Sequence, residues 1–176
     1  MCTSRLSWGI ALACALAAPA ALAQAFGIGK PATPREIGGW DIDVRPDGKG
    51  LPAGSGTAAQ GKPLYEAQCA ACHGMKGEGG LADRLAGGRG TLNTDKPVMT
   101  VGSYWPYATI LYDYINRAMP FTAPQSLKPD EVYAISAYIL FLNEIVGEHD
   151  RIDAATLPKV RMPNRDGFIV RFPEKI

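Results

Sequence analysis

Residues 69–77 read CAACHGMKG and contain the motif C-x-x-C-H, made by Cys69, Cys72 and His73. Two cysteines at this spacing can form a redox-active disulfide, half of a zinc site, a structural disulfide or an attachment site for haem. A redox-active pair lies at a helix N-terminus, usually in a βαβ setting, whereas this pair ends a predicted helix that no strands flank. Structural zinc needs four ligands, and His149 lies far from the motif in the sequence.

Haem attachment uses every residue of the motif, whereas a structural disulfide would leave His73 without a role. Cys69 and Cys72 would add their thiols to the two vinyl groups of haem, and His73 would bind the iron as the proximal ligand. C-x-x-C-H in an exported chain is typical of c-type haem. We therefore predict one covalently bound haem c.

The first 23 residues have the three parts of a secretory signal peptide. Arg5 supplies the positive region, residues 6–20 are apolar, and small residues follow that allow cleavage after Ala23 or Ala25. The apolar run is too short to span a bilayer comfortably. We expect export to the periplasm, with no membrane anchor after cleavage.

Cleavage changes what the composition implies. The full chain has 18 Lys and Arg and 17 Asp and Glu side chains, and residues 1–23 contain one arginine and no acid, so 17 of each remain. A chain so close to neutrality is not expected to bind nucleic acid. Cleavage also removes Cys2 and Cys14, so that the mature chain would keep only the two cysteines of the motif.

The rest of the sequence predicts an all-α domain over residues 57–147, between extended arms at 24–56 and 148–176. Both arms are rich in glycine or proline and show no sustained helical or strand period. We predict three main helices within the domain, and apolar residues at helical spacing mark the second and the third. Their expected ranges are 58–71, 104–118 and 129–146.

Prolines and capping residues set the bounds of these predicted helices. Pro63 would lie in the first turn of the first helix, where its missing N–H is tolerated. Ser103 would cap the second helix, and Pro129 would occupy the first position of the third. Lys128 precedes that proline and forfeits a side-chain cap, at a cost of about 1 kcal/mol.

A methionine is the expected second axial ligand, and Met119 is the favoured candidate. Pro120 disfavours helical geometry at the residue before it, so the second helix should end near Ala118. Met119 would then hold its thioether against the face of the iron opposite His73. Met99, in a loop without helix support, is the alternative. Met/His ligation raises the reduction potential toward the range of an electron carrier.

Other side chains are candidates for roles around the haem. Trp105 and Arg89 are candidate donors to the haem propionates, with Arg117 as a third candidate. The alternative roles are core packing for Trp105 and solvated surface for the two arginines. Met75 is too close to His73 in sequence to reach the opposite face of the iron, and a solvated side chain is the favoured reading of His149.

Three further stretches carry a resemblance to a known family. They are residues 29–61, residues 102–121 (GSYWPYATILYDYINRAMPF) and residues 162–168 (MPNRDGF). With the C-x-x-C-H motif and the Met-Pro loop, they make the chain similar to class I cytochromes c. More narrowly, the chain resembles the cytochrome subunit of bacterial sulfane and sulfite dehydrogenases, which belongs to the sulfur-oxidation (Sox) system.

The resemblance covers nearly the whole mature chain and implies a class I cytochrome c fold around one haem. The family's haem-binding cysteines and histidine correspond to Cys69, Cys72 and His73, and its axial methionine to Met119. The sulfane dehydrogenase cytochrome of the family is a longer diheme protein, whereas this chain has one C-x-x-C-H. The resemblance therefore leaves the partner and its substrate open.

The resemblance implies a periplasmic monohaem electron carrier that is not itself an enzyme. It would accept single electrons from a molybdenum-dependent sulfite or sulfane dehydrogenase and pass them to another cytochrome or a terminal oxidase. One alternative is a free-standing carrier that serves a terminal oxidase. Another is a haem enzyme or gas-binding protein with an open sixth site. The arms would either form part of the partner interface or cover the haem domain.

Overall fold

The computed structural model describes residues 29–169. The chain divides into two compact units between Asp41 and Ile42. The predicted signal peptide, residues 1–23, and both candidate cleavage sites lie outside the described residues.

Among its described residues, the first unit has one short helix, α1, from Pro34 to Trp40. The side chain of Thr33 accepts a hydrogen bond from the Glu36 N–H (3.3 Å), and the Glu36 carboxylate accepts one from the Thr33 N–H (2.8 Å). This reciprocal capping box, with Pro34 at the first helical position, satisfies free backbone N–H groups at the helix start. The prediction of an arm without helical elements was therefore wrong here, because the signal lies in the caps and not in an apolar period.

The second unit is built from helices, as the all-α prediction requires. Two strands of two residues each, β1 (Ser55–Gly56) and β2 (Ile152–Asp153), pair antiparallel. They are too short to have been predicted from alternation. The helices of this unit are α2 (Ala58–Gln68), α3 (Ala70–His73), α4 (Ala108–Ala118) and α5 (Pro129–Leu142), followed by a 3-10 turn at Leu157–Lys159.

The first two predicted helices differ from the observed ones. The helix expected at 58–71 breaks at Cys69 (φ −122°, ψ −37°), and Pro63 lies inside α2 and not in its first turn. The helix expected from residue 104 begins only at Ala108. Ser103 is not its cap, because its hydroxyl donates to the Val98 carbonyl (2.6 Å) within the preceding loop.

The third predicted helix begins at Pro129 as expected but ends at Leu142, four residues early. Glu144 adopts a left-handed conformation (φ 58°), and the Ile145 N–H donates to the Leu140 carbonyl (3.0 Å). This is a Schellman arrangement, which usually uses glycine, so the glutamate at this position does not mark the end of the helix in the sequence. At the start, Lys128 supplies no side-chain cap, as predicted, while Glu131 accepts from the Lys128 N–H (2.7 Å).

Helix α5 is the centre of the core, and every residue from Val132 to Leu140 is buried. Helix α2 crosses it closely, since a Cβ atom on Gly61 would overlap the Ala134 carbonyl oxygen. Helix α4 packs against α5 through Tyr112, whose ring centre lies 4.5 Å from that of Tyr133. The three main helices therefore share one interior, with α5 in contact with the other two.

Parts of both predicted arms contribute to this core. The Val44 N–H donates to the buried Asp113 carboxylate on α4 (2.8 Å), and the Tyr133 hydroxyl donates to the Pro52 carbonyl (2.9 Å). On the C-terminal side, Leu157 and Met162 are buried. These segments cover the domain, and their part in a partner interface stays a prediction.

Candidate functional site

A cavity of about 340 Å³ opens between α3, α4, α5 and the loops that join them. It brings together four of the side chains singled out from the sequence: Cys69, His73, Trp105 and Met119. Cys72 is exposed on α3. The apolar part of the wall is formed by Leu85, Val101, Leu111, Ile115, Leu127, Ile135 and Ile139.

The two cysteines and the histidine lie on a single helical turn. The His73 N–H donates to the Cys69 carbonyl (3.0 Å) and closes the one-turn helix α3 directly after α2. Burial, with a smaller effect of nearby Cys72, raises the pKa of the Cys69 thiol to about 11. A thiol whose pKa is raised is unlike the thiolate of a redox-active pair, whose pKa is lowered.

The loop after the motif fixes the orientation of His73. The Gly79 N–H donates to the His73 carbonyl (2.7 Å) and the Ala82 N–H to the Cys72 carbonyl (2.9 Å), so the loop folds back over α3. Asp83 then presents its backbone carbonyl to the His73 Nδ1 at 2.7 Å. Because a carbonyl can only accept, Nδ1 carries the proton and Nε2 keeps its lone pair for a metal.

Met119 reaches the cavity from the end of α4. It is extended (φ −121°, ψ 149°), and its N–H donates to the Ile115 carbonyl (3.0 Å). The helix therefore ends at Ala118, as the following proline predicted. Met99 also lines the cavity, although 62% of it is exposed. Met162 is instead packed in the core, 1% exposed.

Trp105 is part of the cavity wall, and its ring meets that of Tyr114 edge to face at 6.0 Å. The two arginines predicted as propionate donors, Arg89 and Arg117, lie in other surroundings. Arg89 is exposed and is not among the residues that line the cavity. Arg117 binds the Asp113 carboxylate through its Nε (3.0 Å), and this hydrogen bond raises the pKa of the guanidinium. The roles of Arg89 and Arg117 as donors to the haem propionates stay predictions.

Two residues of the site were not found from the sequence. Arg84 lines the cavity, and its Nε donates to the Glu78 carbonyl (3.3 Å). Asn143 is buried at the end of α5. Its amide N–H groups donate to the Leu85 and Ile139 carbonyls (3.1 and 2.9 Å), and its carbonyl accepts from the Gly87 N–H (3.0 Å). An asparagine just after an apolar helix was a weak signal, and its loop partners lie more than 50 residues away in sequence.

The donor set suits a large apolar group that carries a metal, and not a bare ion. Within residues 29–169, no three His, Cys, Asp or Glu side chains lie close enough together to hold a metal ion. The cavity instead offers one imidazole nitrogen, a cysteine sulfur and two thioethers, surrounded by aliphatic side chains. Soft sulfur ligands and imidazole are typical of iron in haem proteins.

Comparisons with known proteins agree with this arrangement. A family described as cytochrome C oxidase, cbb3-type, subunit III matches residues 56–139. Cytochrome c-554(547) from Halothiobacillus neapolitanus is 56% identical over 34 residues, which are 19% of this chain and 37% of that relative. A chain in the crystal structure of the sulfane dehydrogenase SoxCD from Paracoccus pantotrophus is 43% identical, with a TM-score of 0.77, over 85% of this chain and 72% of that chain.

Proposed function

Because the chain belongs to the class I c-type cytochromes, electron carriers that use haem c, we propose that it is a periplasmic monohaem carrier for a molybdenum-dependent dehydrogenase of sulfur compounds. The single observation that carries the haem site is that Cys69, His73 and Met119 line one apolar cavity. His73 is oriented with Nε2 free, as a metal ligand must be.

Each side chain has one task in this proposal. Cys69 and Cys72 would hold a single haem through thioether bonds, and His73 and Met119 would be the ligands of its iron. Trp105 closes the wall and offers its indole N–H. When bound, haem c supplies a one-electron iron couple, and the aliphatic wall keeps water from it. The protein binds, orients and shields its cofactor and makes or breaks no substrate bonds.

The partner is proposed from the likeness to the sulfane dehydrogenase chain, which extends over most of this protein. A carrier of that kind would accept electrons from the dehydrogenase and deliver them to another cytochrome or a terminal oxidase. Export by the predicted signal peptide would bring it to the periplasm. Within residues 29–169, the structure has no helix long and apolar enough to cross a bilayer.

The first experiment is anaerobic and uses the protein purified under mild conditions from its host. Mass spectrometry of the intact chain counts the covalent haems, and we expect one. Sulfite or thiosulfate is then added to the oxidised sample while the visible haem bands are followed. Rapid substrate-dependent reduction with co-purifying molybdenum is the expected result.

The same experiment separates the rival functions. A protein that purifies alone, stays oxidised with both substrates and is oxidised by several terminal oxidases would be a free-standing carrier. A reduced protein that binds carbon monoxide at once, with a high-spin spectrum, would instead have an open sixth site. A chain without haem would overturn the whole proposal.

A further inference from the structure

The sequence MPNRDGF at residues 162–168 forms a compact turn on the side of the domain that carries Trp105. Met162 anchors it in the core with 1% of its surface exposed, and the Arg165 N–H donates to the Met162 carbonyl (3.1 Å). Gly167 allows the tight return, since a Cβ there would overlap the Asn164 side chain. We call residues 162–168 the clasp.

The clasp binds the short segment 104–107 at three points. The Asn164 side chain donates to the Tyr104 carbonyl (2.8 Å), and the Phe168 ring meets the Tyr104 ring edge to face at 5.2 Å. The guanidinium of Arg165 lies 4.1 Å from the centre of the Tyr107 ring, within the range of a cation–π interaction. The contacts fall on both sides of Trp105.

The segment that carries Trp105 is also held on its inner side. It connects the loop held by Thr100 and Ser103 to the start of α4. The Tyr104 N–H donates to the Thr100 carbonyl (2.9 Å), and the Trp105 ring meets the Tyr114 ring at 6.0 Å. Trp105 itself forms part of the cavity wall. A movement of 104–107 away from the domain would therefore open that wall.

We propose that the clasp positions Trp105 in the cavity wall and so controls how much water reaches the haem site. This proposal rests on the proposed function and assigns Asn164 and Arg165 as positioning residues. Solvent exposure is one of the factors that set the reduction potential of a haem iron. Loosening the clasp should therefore lower the reduction potential of the haem iron and ease the entry of small ligands. No clasp side chain itself lines the cavity.

The test compares four single variants of the full haem-loaded protein. Asn164→Ala removes a hydrogen bond without a change of charge, and Arg165→Ala removes the cation from Tyr107. Arg151→Ala is the matched control, because it removes the same charge from a side chain that is 71% exposed and pairs with Asp153, outside the clasp. Arg165→Lys keeps a cation at the ring and should restore most of the effect.

Hydrogen exchange of the amides at 104–107 is the readout that does not depend on haem. We expect exchange about tenfold faster in the Asn164→Ala/Arg165→Ala double variant, from the loss of one hydrogen bond and one cation–π contact. The reduction potential should fall, and carbon monoxide should bind the reduced protein several-fold faster when both proteins also carry Met119→Ala, which would leave a coordination position of the iron open. Arg151→Ala should match the wild type in all three measurements.

Each other result contradicts the proposal at a definite point. Unchanged exchange would show that the clasp does not hold segment 104–107. Faster exchange with an unchanged potential and unchanged ligand binding would show that Trp105 does not control access to the site. Wild-type protein without haem would refute the proposed function instead, while the exchange measurement would still test the clasp.

Discussion

His73 and Met119 reach the cavity by different local means. The imidazole is held through its own side chain, by the Asp83 carbonyl at 2.7 Å. The thioether is held through the backbone, because Met119 ends α4 in an extended conformation with its N–H bound to Ile115. A histidine so oriented can bind only through Nε2, whereas the methionine keeps flexible torsions that let its sulfur adjust to the metal.

Met119→Ala and Met99→Ala form a matched pair, since both side chains line the cavity. If Met119 is the axial ligand, Met119→Ala removes the sulfur-to-iron charge-transfer band of the oxidised protein. It also lowers the reduction potential by about 0.2 V, a part of the ~0.8 V range that axial ligands span. Met99→Ala should keep both properties. The opposite pattern would make Met99 the ligand, and an unchanged spectrum in both variants would indicate an open sixth site.

Side chains that belong to a recognisable chemical motif were predictable from the sequence. Side chains that only the fold brings together were not. The spacing of C-x-x-C-H identifies the residues of the motif. Pro120 marked the methionine before it, Met119, as a candidate ligand. Arg84 and Asn143 carry no such local signal. Asn143 acts by binding backbone groups of the loop near Leu85 and Gly87, and single-sequence reasoning has no means to pair groups so far apart.

At the scale of elements, the contact between α2 and α5 sets how closely the motif approaches the core. Gly61 faces the Ala134 backbone, and Tyr65, one turn later, packs its ring 5.2 Å from that of Tyr138. The hydroxyl of Tyr65 then donates to the Gly74 carbonyl (2.9 Å), directly after the motif. The crossing of two helices is thereby linked to the turn that carries His73.

Gly61→Ala should destabilise the protein although alanine favours helices. The added methyl would overlap the Ala134 carbonyl oxygen, and overpacking of this kind costs about 1–3 kcal/mol, more than the ~1 kcal/mol gained in helix propensity. Urea unfolding followed by far-UV circular dichroism measures the loss. Gly39→Ala in α1 is the control, since its methyl would meet nothing within 4 Å. An unchanged midpoint for Gly61→Ala would show that the helices can separate at no cost.

Helix existence was easier to predict than helix ends. The apolar period placed the second and third main helices, but α4 begins four residues late because Thr100 binds Ser103 into a separate loop. The left-handed Glu144 ends α5 without glycine, and the capping box of α1 acts where no apolar period exists. In each case a specific hydrogen bond or backbone conformation decided the boundary, and the apolar pattern does not encode it.

For the whole molecule, four tyrosines link the three main helices from inside. Tyr112 on α4 packs against Tyr133 on α5, and Tyr65 on α2 packs against Tyr138 on α5, all four with exposures of 6% or less. Burial is the main cause that raises the pKa of each of these phenols. Their hydroxyl groups are thus kept neutral by the same packing that joins the helices.

Alkaline pH should therefore unfold the protein through this cluster. The pKa of Tyr133 is raised to about 12, whereas tyrosine in an unfolded chain ionises near pH 10. Since the unfolded state loses its protons first, stability should be full below about pH 10 and fall as the pH rises through 12. Urea midpoints by far-UV circular dichroism at several pH values measure this slope. Midpoints that stay constant up to pH 12 would contradict it.

Two phenylalanine substitutions test the alkaline prediction further. They should change the stability above pH 10 in the same way but differ in their effect on stability at pH 7. Tyr112→Phe and Tyr133→Phe each remove a buried phenol, so both should flatten the loss of stability above pH 10. At pH 7, Tyr133→Phe should cost about 1 kcal/mol, since it deletes the hydrogen bond to the Pro52 carbonyl. The Tyr112 hydroxyl has no partner within residues 29–169, so its removal should be neutral or stabilising. Equal losses of stability at pH 7 would show that Tyr112 has a hydrogen-bond partner in solution. An unaltered slope of stability against alkaline pH in both variants would place the pH sensitivity outside the tyrosine cluster.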